Sequence, residues 1–187
     1  NFQRQRSILQ EILDELFVRQ YMYENVEGDD LISYYCKKKG DNDYIVIVSE
    51  DMDLSQLIKD DICLYIPSKK VFVSPKNDID ILGMPSCNVV LKKMICGDSS
   101  DNIKGIKGFG EISLKKYYPQ IISEKATLEG FLSTCRQLLE ERKAEKKKPL
   151  KCLENAVNRI TDGCQGKDVY DVKRKIIDLS EPLLTED

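Results

Sequence analysis

Seven carboxylates are gathered in three short stretches: Glu27, Asp29 and Asp30 in Glu27-Gly28-Asp29-Asp30, Asp51 and Asp53 in Asp51-Met52-Asp53, and Asp98 and Asp101 in Asp98-Ser99-Ser100-Asp101. Carboxylates held close together repel one another. A fold that keeps them close needs protonation or a hard cation among them. The third stretch runs directly into Asn102-Ile103-Lys104-Gly105-Ile106-Lys107-Gly108-Phe109-Gly110. Glycines there let the backbone come close to a phosphate. Acids followed by such a hairpin point to divalent-metal cleavage of phosphodiesters beside a grip on a nucleic-acid backbone.

Each stretch also has an ordinary use. Glu27 and Asp30 sit three apart at a helix start and share a face, where acids complement the helix dipole. Asp51 or Asp53 suits the N-cap of the short helix expected after them. Asp98 is expected at a helix C-terminus, where the dipole disfavours an anion by up to ~1 kcal/mol unless a cation is near. Asp98 to Asn102 equally suits a turn bonded to its own backbone. Glycine pairs alone make an ordinary loop. Glu50 is expected to face solvent. It is the order of the stretches, with the last acids leading straight into the hairpin, that favours the metal reading.

The hydropathy pattern supplies a scaffold for these residues. Ile8, Ile12, Leu13, Leu16 and Phe17 follow the helical period and predict an amphipathic helix over 7–23. A second helix is expected from Glu27 through Leu31, Ile32 and Tyr35 to about 39, with Gly40 as its stop. Tyr44-Ile45-Val46-Ile47-Val48 is a continuous β-branched run, as expected of a parallel strand buried on both faces. A short helix over 52–58, a strand over 62–66 ended by Pro67 and a short strand over 71–73 follow. This order predicts an α/β sheet, with sites beyond the carboxyl ends of its strands, where Asp51 and Asp53 fall. From Ser86 onward the pattern is helical: a helix ended by Asp98, a hairpin over 105–110 and helices over 111–118, 127–143 and 153–160. A charge run over 143–148 breaks at Pro149, 162–166 reads as a loop, and 169–179 is ambiguous.

A chain of 187 residues makes one domain, or one with a small appendage. No stretch reaches the roughly 20 apolar residues that span a bilayer, and Asn1 opens a polar segment, so no membrane or secretory role is expected. Asn1 is not a methionine, which suits a fragment or a processed chain. The seven cysteines are scattered without a CxxC pair, and histidine is absent. That argues against a structural zinc site and for free thiols in a reducing cytoplasm. It also removes the usual general base, leaving metals, carboxylates, lysine or tyrosine for hydrolysis. Residues 1–91 carry 10 Lys/Arg against 16 Asp/Glu, whereas residues 92–175 carry 19 against 12. An acidic half suited to metal thus precedes a basic half suited to phosphate. A solvated surface with chance imbalance accounts for the charges equally.

Three motifs resemble those of the 5′ nuclease, or flap endonuclease, superfamily, which includes the 5′–3′ exonuclease domain of bacterial DNA polymerase I and the phage 5′ nucleases. Glu27-Gly28-Asp29-Asp30 looks like the family's E-A-D-D, with glycine for alanine. Ser49-Glu50-Asp51-Met52-Asp53-Leu54-Ser55-Gln56-Leu57 looks like S-x-D-x-D-x-x-Q-L, and Gly97-Asp98-Ser99-Ser100-Asp101-Asn102-Ile103-Lys104-Gly105 like G-D-x-x-D-N-I-x-G. The likeness covers roughly 26–118 well and the tail weakly, where 175–184 matches the family's late strand.

The resemblance implies a PIN-like (Rossmann-like), mostly parallel sheet flanked by helices over 1–96. A helix–hairpin–helix (helix–three-turn–helix) DNA-binding region and helical tail would fill 97–187. It implies two Mg2+ or Mn2+ ions, the first held by Glu27, Asp29, Asp30, Asp51 and Asp53, directly or through water, the second by Asp98 and Asp101. Lys93 would face the scissile phosphate. Lys104, Gly105, Ile106, Lys107, Gly108, Phe109 and Gly110, followed by Lys115 and Lys116, would bind the duplex, with a K+ held by backbone carbonyls. The substrate would be double-stranded and 5′-flap DNA, cut during replication or repair in the cytoplasm of a bacterium or phage-infected host, by a monomer. Two departures stand out. The family's first catalytic aspartates and its helical arch would precede Asn1, so a separate chain or upstream segment would complete the core. The basic residue often placed at Ile112 or Ser113 is absent. A DNA-binding module that cuts poorly, or a protein–protein adaptor, remains open at this point.

Overall fold

The computed structural model describes residues 2–161, 164–165 and 169–181. Its sheet has the order β1 (Ile45–Val48), β2 (Ile62–Ile66), β3 (Val71–Val73). β1 and β2 run parallel with Ile45 opposite Ile62 and Val48 opposite Tyr65, while β2 and β3 are antiparallel with Leu64 opposite Val73. The β2–β3 connection is a tight turn closed by the Lys70 amide donating to the Pro67 carbonyl at 3.2 Å. α2 (Gly28–Lys38) and a 3-10 helix over Met52–Leu57 flank this sheet. Cys36, Ile47, Leu54, Leu57, Ile62, Leu64 and Val73 form its buried core.

β1 corrects one expectation. Ile47 is 5% exposed, but Val46 and Val48 are 45% and 64% exposed. Among the described residues β1 pairs only with β2, and one face of the strand stays open. The apolar run was composed for two covered faces, and only one is covered here. The first helix differs too. α1 (Phe2–Glu15) buries none of its residues and stops before 23. The Val18 amide reaches back to the Leu13 carbonyl at 2.8 Å with Phe17 at φ 56°. That closure ends a helix in the position glycine usually fills.

The second core is helical. It is built by α4 (Val89–Cys96), α5 (Glu111–Tyr117), α6 (Leu128–Ala144), α7 (Lys151–Val157) and α8 (Val169–Ile177) around Leu91, Ile95, Phe109, Leu114, Phe131, Leu153 and Tyr170. A further short helix, α3 (Asp78–Leu82), was not evident in the sequence pattern. Phe131 meets Phe109 and Tyr118 edge-to-face at 5.2 and 5.7 Å. Thr127 caps α6 by accepting from the Gly130 amide at 3.0 Å. Fully buried Asn88 donates to the Ile121 and Glu124 carbonyls and accepts from the Ala126 amide, so its burial costs no unmade hydrogen bond. The ambiguous stretch over 169–179 is thus helical through Ile177, which conflicts with a late strand starting at Lys175. Residues 178–181 are not in a strand either; 182–184 lie outside the described residues, as do 162, 163 and 166 of the expected loop. Cys36, Cys63, Cys87, Cys96, Cys135 and Cys152 are free thiols, and no helix among the described residues is long and apolar enough to cross a membrane.

Asp98 does not end α4. The helix stops at Cys96, and Gly97–Asp98 (β4) pairs with Ile103–Lys104 (β5), making 99–102 the turn of a small ribbon. Gly97 and Gly105 let this ribbon close. A Cβ on Gly105 would lie 2.2 Å from the Cys96 carbonyl oxygen, and one on Gly97, at φ 81°, would lie 2.4 Å from the Gly105 nitrogen. Both obstacles are backbone, so neither yields cheaply. Gly105→Ala is therefore expected to lower stability by on the order of 3 kcal/mol in urea denaturation. Gly28→Ala, at the start of α2 with nothing within 4 Å, should instead be neutral or gain up to ~1 kcal/mol. Equal midpoints for the two variants would contradict this packing.

Candidate metal centre

Three separated parts of the chain deliver carboxylates to one place. Glu27 precedes α2 with extended backbone and makes no side-chain cap bond, and Asp29 lies in the first turn. The 3-10 helix just past the carboxyl end of β1 presents Asp51 and Asp53. The ribbon turn after α4 carries Asp98 and Asp101. Glu27, Asp29, Asp51, Asp53, Asp101 and Lys93 line a single cleft of about 330 Å3. Oxygens of Asp53, Asp98 and Asp101 all lie within 4.8 Å of one another.

One cation of the protein's own sits among these oxygens. The Lys93 ammonium pairs with Asp53, with Asp98 at 2.5 Å and with Asp101 at 3.2 Å, and its side chain is 11% exposed. Burial works against that charge, but the bonds to Asp53, Asp98 and Asp101 outweigh it and hold its pKa above the usual lysine range. The same ammonium, with Ser100, pushes the Asp98 carboxyl down to about 2. Asp53 shifts the other way. Burial raises it, Asp51 and Asp101 add to the rise, and Lys93 offsets this only in part. Burial, then Asp51, Asp53, Glu27 and Asp30, likewise raise Asp29. Asp53 and Asp98 shift oppositely because burial weighs most on Asp53, which also faces further acids, whereas Asp98 is governed by its bonds from Lys93 and Ser100. The cleft remains short of positive charge even with Lys93 in place.

The ordinary roles of these acids hold at the same time. Asp51 accepts from the Asp53 amide at 2.9 Å and so caps the 3-10 helix. Asp98 accepts from the Ser100 amide at 2.9 Å and shapes the ribbon turn. These bonds use one oxygen of each acid; the other oxygen of Asp98 is the one that Lys93 engages. Asp30 is half-buried and is not among the cleft-lining residues; Glu27 reaches the cleft with Asp29, not with Asp30 as the three-residue spacing implies. Exposed Glu50 accepts from the Ser68 amide and hydroxyl, both at 2.6 Å.

Sequence reasoning missed the residues that close the cleft. Gln56 donates to the Ile177 carbonyl at 3.1 Å and accepts from the Leu179 amide at 2.8 Å, so it ties the end of α8 beside the acids. Ile176, Ile177 and Leu179 line the cleft wall. Buried Lys173 donates to the Met94 carbonyl at 3.1 Å, steadying the turn of α4 that carries Lys93. The Gln56-Leu57 pair at the end of the second motif was the available signal; nothing in the sequence pointed to its distant partners.

The hairpin after the ribbon is pinned. The Phe109 amide donates to the Ile106 carbonyl at 2.9 Å, with Gly108 at φ 79°. Ile106 and Phe109 are 3% and 2% exposed and anchor the loop in the helical core, so only their backbone can meet a ligand. The Lys107 amide donates to the Ile160 carbonyl at 3.3 Å, and Asn155 donates to the Lys107 carbonyl at 2.9 Å. Lys104, Lys107, Gly108, Gly110, Lys115 and Lys116 are exposed, and Gly105 is half-buried behind them.

A bound divalent ion fits this donor set on its chemistry. The ligand atoms are hard carboxylate oxygens, close enough to share one cation, and a cationic group already lies between them.

Comparison with known proteins agrees with this architecture. The family described as "5′–3′ exonuclease, N-terminal resolvase-like domain" matches residues 1–82. The chain is 30% identical to DNA polymerase I of Bacillus subtilis over 146 residues, covering 75% of this chain and 17% of that protein. It is 32% identical to a 5′–3′ exonuclease of Mycoplasmopsis pulmonis over 127 residues, covering 67% of this chain and 43% of the relative. It therefore spans less than half the length of these relatives. A bacteriophage T5 flap endonuclease, solved in complex with DNA and metal ions, matches with a TM-score of 0.61 at 17% identity, over 86% of this chain and 52% of the phage chain. The fold is thus that of the phage enzyme, and by sequence and fold together the chain belongs to the 5′ nuclease superfamily.

Proposed function

We propose that this chain supplies the metal-binding and DNA-gripping parts of a structure-specific 5′ nuclease, which hydrolyses DNA phosphodiesters near a 5′ end or flap junction and leaves a 5′-phosphate. One observation carries the reading: carboxylates from separated stretches line a single cleft together with Lys93. Asp53, Asp98 and Asp101 would hold one Mg2+ or Mn2+, and Glu27, Asp29 and Asp51 the other, with Asp30 adding negative charge behind them. Such a pair of ions would activate water and offset charge on the phosphate. Lys93 would add positive charge on the same side of the cleft. Ile176, Ile177 and Leu179 would border the acids on the side of α8.

Residues 97–187 would grip the duplex. The hairpin would meet the phosphate backbone without reading bases. Lys104, Lys107, Lys115 and Lys116 would add a salt-dependent attraction. A K+ would rest on hairpin carbonyls other than that of Lys107, which Asn155 already engages. The substrate class is double-stranded and 5′-flap DNA, and the role is in replication or repair in the cytoplasm of a bacterium or phage-infected host, by a monomer.

A second reading draws on the open face of β1. Val46, Val48 and the unburied α1 leave apolar surface that further polypeptide, in the same chain or another, would cover. On that reading residues 1–187 alone bind branched DNA and cut poorly until the core is completed. Metal-dependent cleavage of a 5′-flap substrate separates the readings: efficient cleavage by these residues alone supports the first, and binding without cleavage supports the second.

Two substitutions test the assignment. Asp51→Asn should reduce Mg2+-dependent flap cleavage by roughly 100-fold or more while duplex affinity stays within about threefold. Wild-type turnover would contradict the metal role. Gly108→Val places a β-branched residue at φ 79°, a strain of about 1–3 kcal/mol, in the hairpin. Duplex binding should weaken roughly tenfold in a fluorescence-anisotropy titration, with the circular-dichroism spectrum and Mn2+ binding unchanged. Unaltered DNA affinity would remove the hairpin from the interface.

A further inference from the structure

We infer that Lys93 is the resident counter-cation of the metal centre: its ammonium occupies the space among Asp53, Asp98 and Asp101 that a divalent ion must take, so loading the metal expels Lys93 from the acids. The inference rests on the metal reading above and adds an order of events to it.

The geometry leaves room for one cation. The oxygens of Asp53, Asp98 and Asp101 lie within 4.8 Å of one another, and Lys93 contacts all three carboxylates. A hard divalent ion approaches each carboxylate oxygen to roughly 2.0–2.6 Å, closer than an ammonium does. It would therefore sit nearer the middle of the same group, where the ammonium nitrogen now is. Two cations so close would also repel one another. Exchange follows from both facts.

Lys93 also has somewhere to go. The same side chain lines a second cavity of about 350 Å3, which shares Asp53 with the metal cleft and is also lined by Met52, Ile81, Val89, Lys69 and Lys92. Its methylene stem suits the apolar part of that cavity, and its flexible chain can turn between the two spaces without moving α4. Lys92 is already engaged by Glu111 at 2.6 Å, and the one carboxylate lining that cavity is Asp53, which the metal would hold, so the swung-out Lys93 brings added positive charge there. In the metal-free protein Lys93 is occupied with its own acids; with metal bound it becomes available to an anionic group such as a phosphate. Metal loading would thus precede productive engagement of the phosphate, and the lysine would keep the acids from repelling one another until then.

Isothermal titration with Mn2+ alone, on wild-type protein and on Lys93→Met, tests the exchange. Removing the competing ammonium should tighten Mn2+ binding at one site by at least roughly tenfold, even though the variant loses a positive charge useful to catalysis. Unchanged or weaker affinity in Lys93→Met would overturn the exchange while leaving the metal centre standing. Absence of Mn2+ binding in both proteins would overturn both. A second measurement needs no variant. Acetylation by an N-hydroxysuccinimide ester, read by mass spectrometry, should modify Lys93 several-fold faster once Mn2+ is present, with exposed Lys70 as the internal reference. A Lys93 rate that Mn2+ leaves unchanged or slows would overturn the exchange.

Discussion

Mutual repulsion among carboxylates is the constraint that the rest of this molecule answers to. Asp29 and Asp53 both titrate above the ordinary aspartate range because burial and neighbouring acids act on them together. Among the described residues one ammonium, that of Lys93, sits among Asp53, Asp98 and Asp101 to counter this. A protein that wanted only a stable fold would replace such a group with apolar side chains at little or no cost. Keeping the acids near one another makes sense where the cleft is built to receive further positive charge.

The scaffold shows how separated residues are made to meet. A parallel β1–β2 pair ends just before Asp51 and Asp53 and sets them at the edge of the sheet. α2 brings Asp29 in its first turn. The ribbon that holds Asp98 and Asp101 closes because Gly97 and Gly105 carry no Cβ where their backbones cross. Gln56 then fastens the end of α8 against the same cleft, and Lys173 fastens α8 to the end of α4. Four parts of the chain depend on one another here, so a change far from the acids can still move them.

Much of this was legible before any coordinates. The spacing of Asp51 and Asp53 after an apolar run located the site beyond a strand end, and the passage from Asp98 into Gly105 located the hairpin. Apolar periodicity also placed α2, α5 and α6 within a few residues. Other features were hidden for physical reasons. A continuous apolar run reports the burial a strand was composed for, and so it could not tell that Val46 and Val48 would lie open. The end of α1 is set by backbone closure at Phe17, a residue with no turn propensity to advertise it. Asp30 and Asp29 are equivalent in composition, and only the register of α2 decides which of them faces the cleft. Gln56, Lys173 and Asn88 act through backbone partners up to 123 residues away, which no local pattern encodes.

The central claim is that the acids converge on one centre for divalent cations. Diffraction from crystals grown with Mn2+, recorded for anomalous signal, tests it most directly. The account predicts an anomalous peak in the cleft, within bonding reach of Asp53, Asp98 and Asp101, with the Lys93 ammonium no longer between them. A cleft without such a peak at saturating Mn2+, or peaks confined to other surfaces, would contradict it.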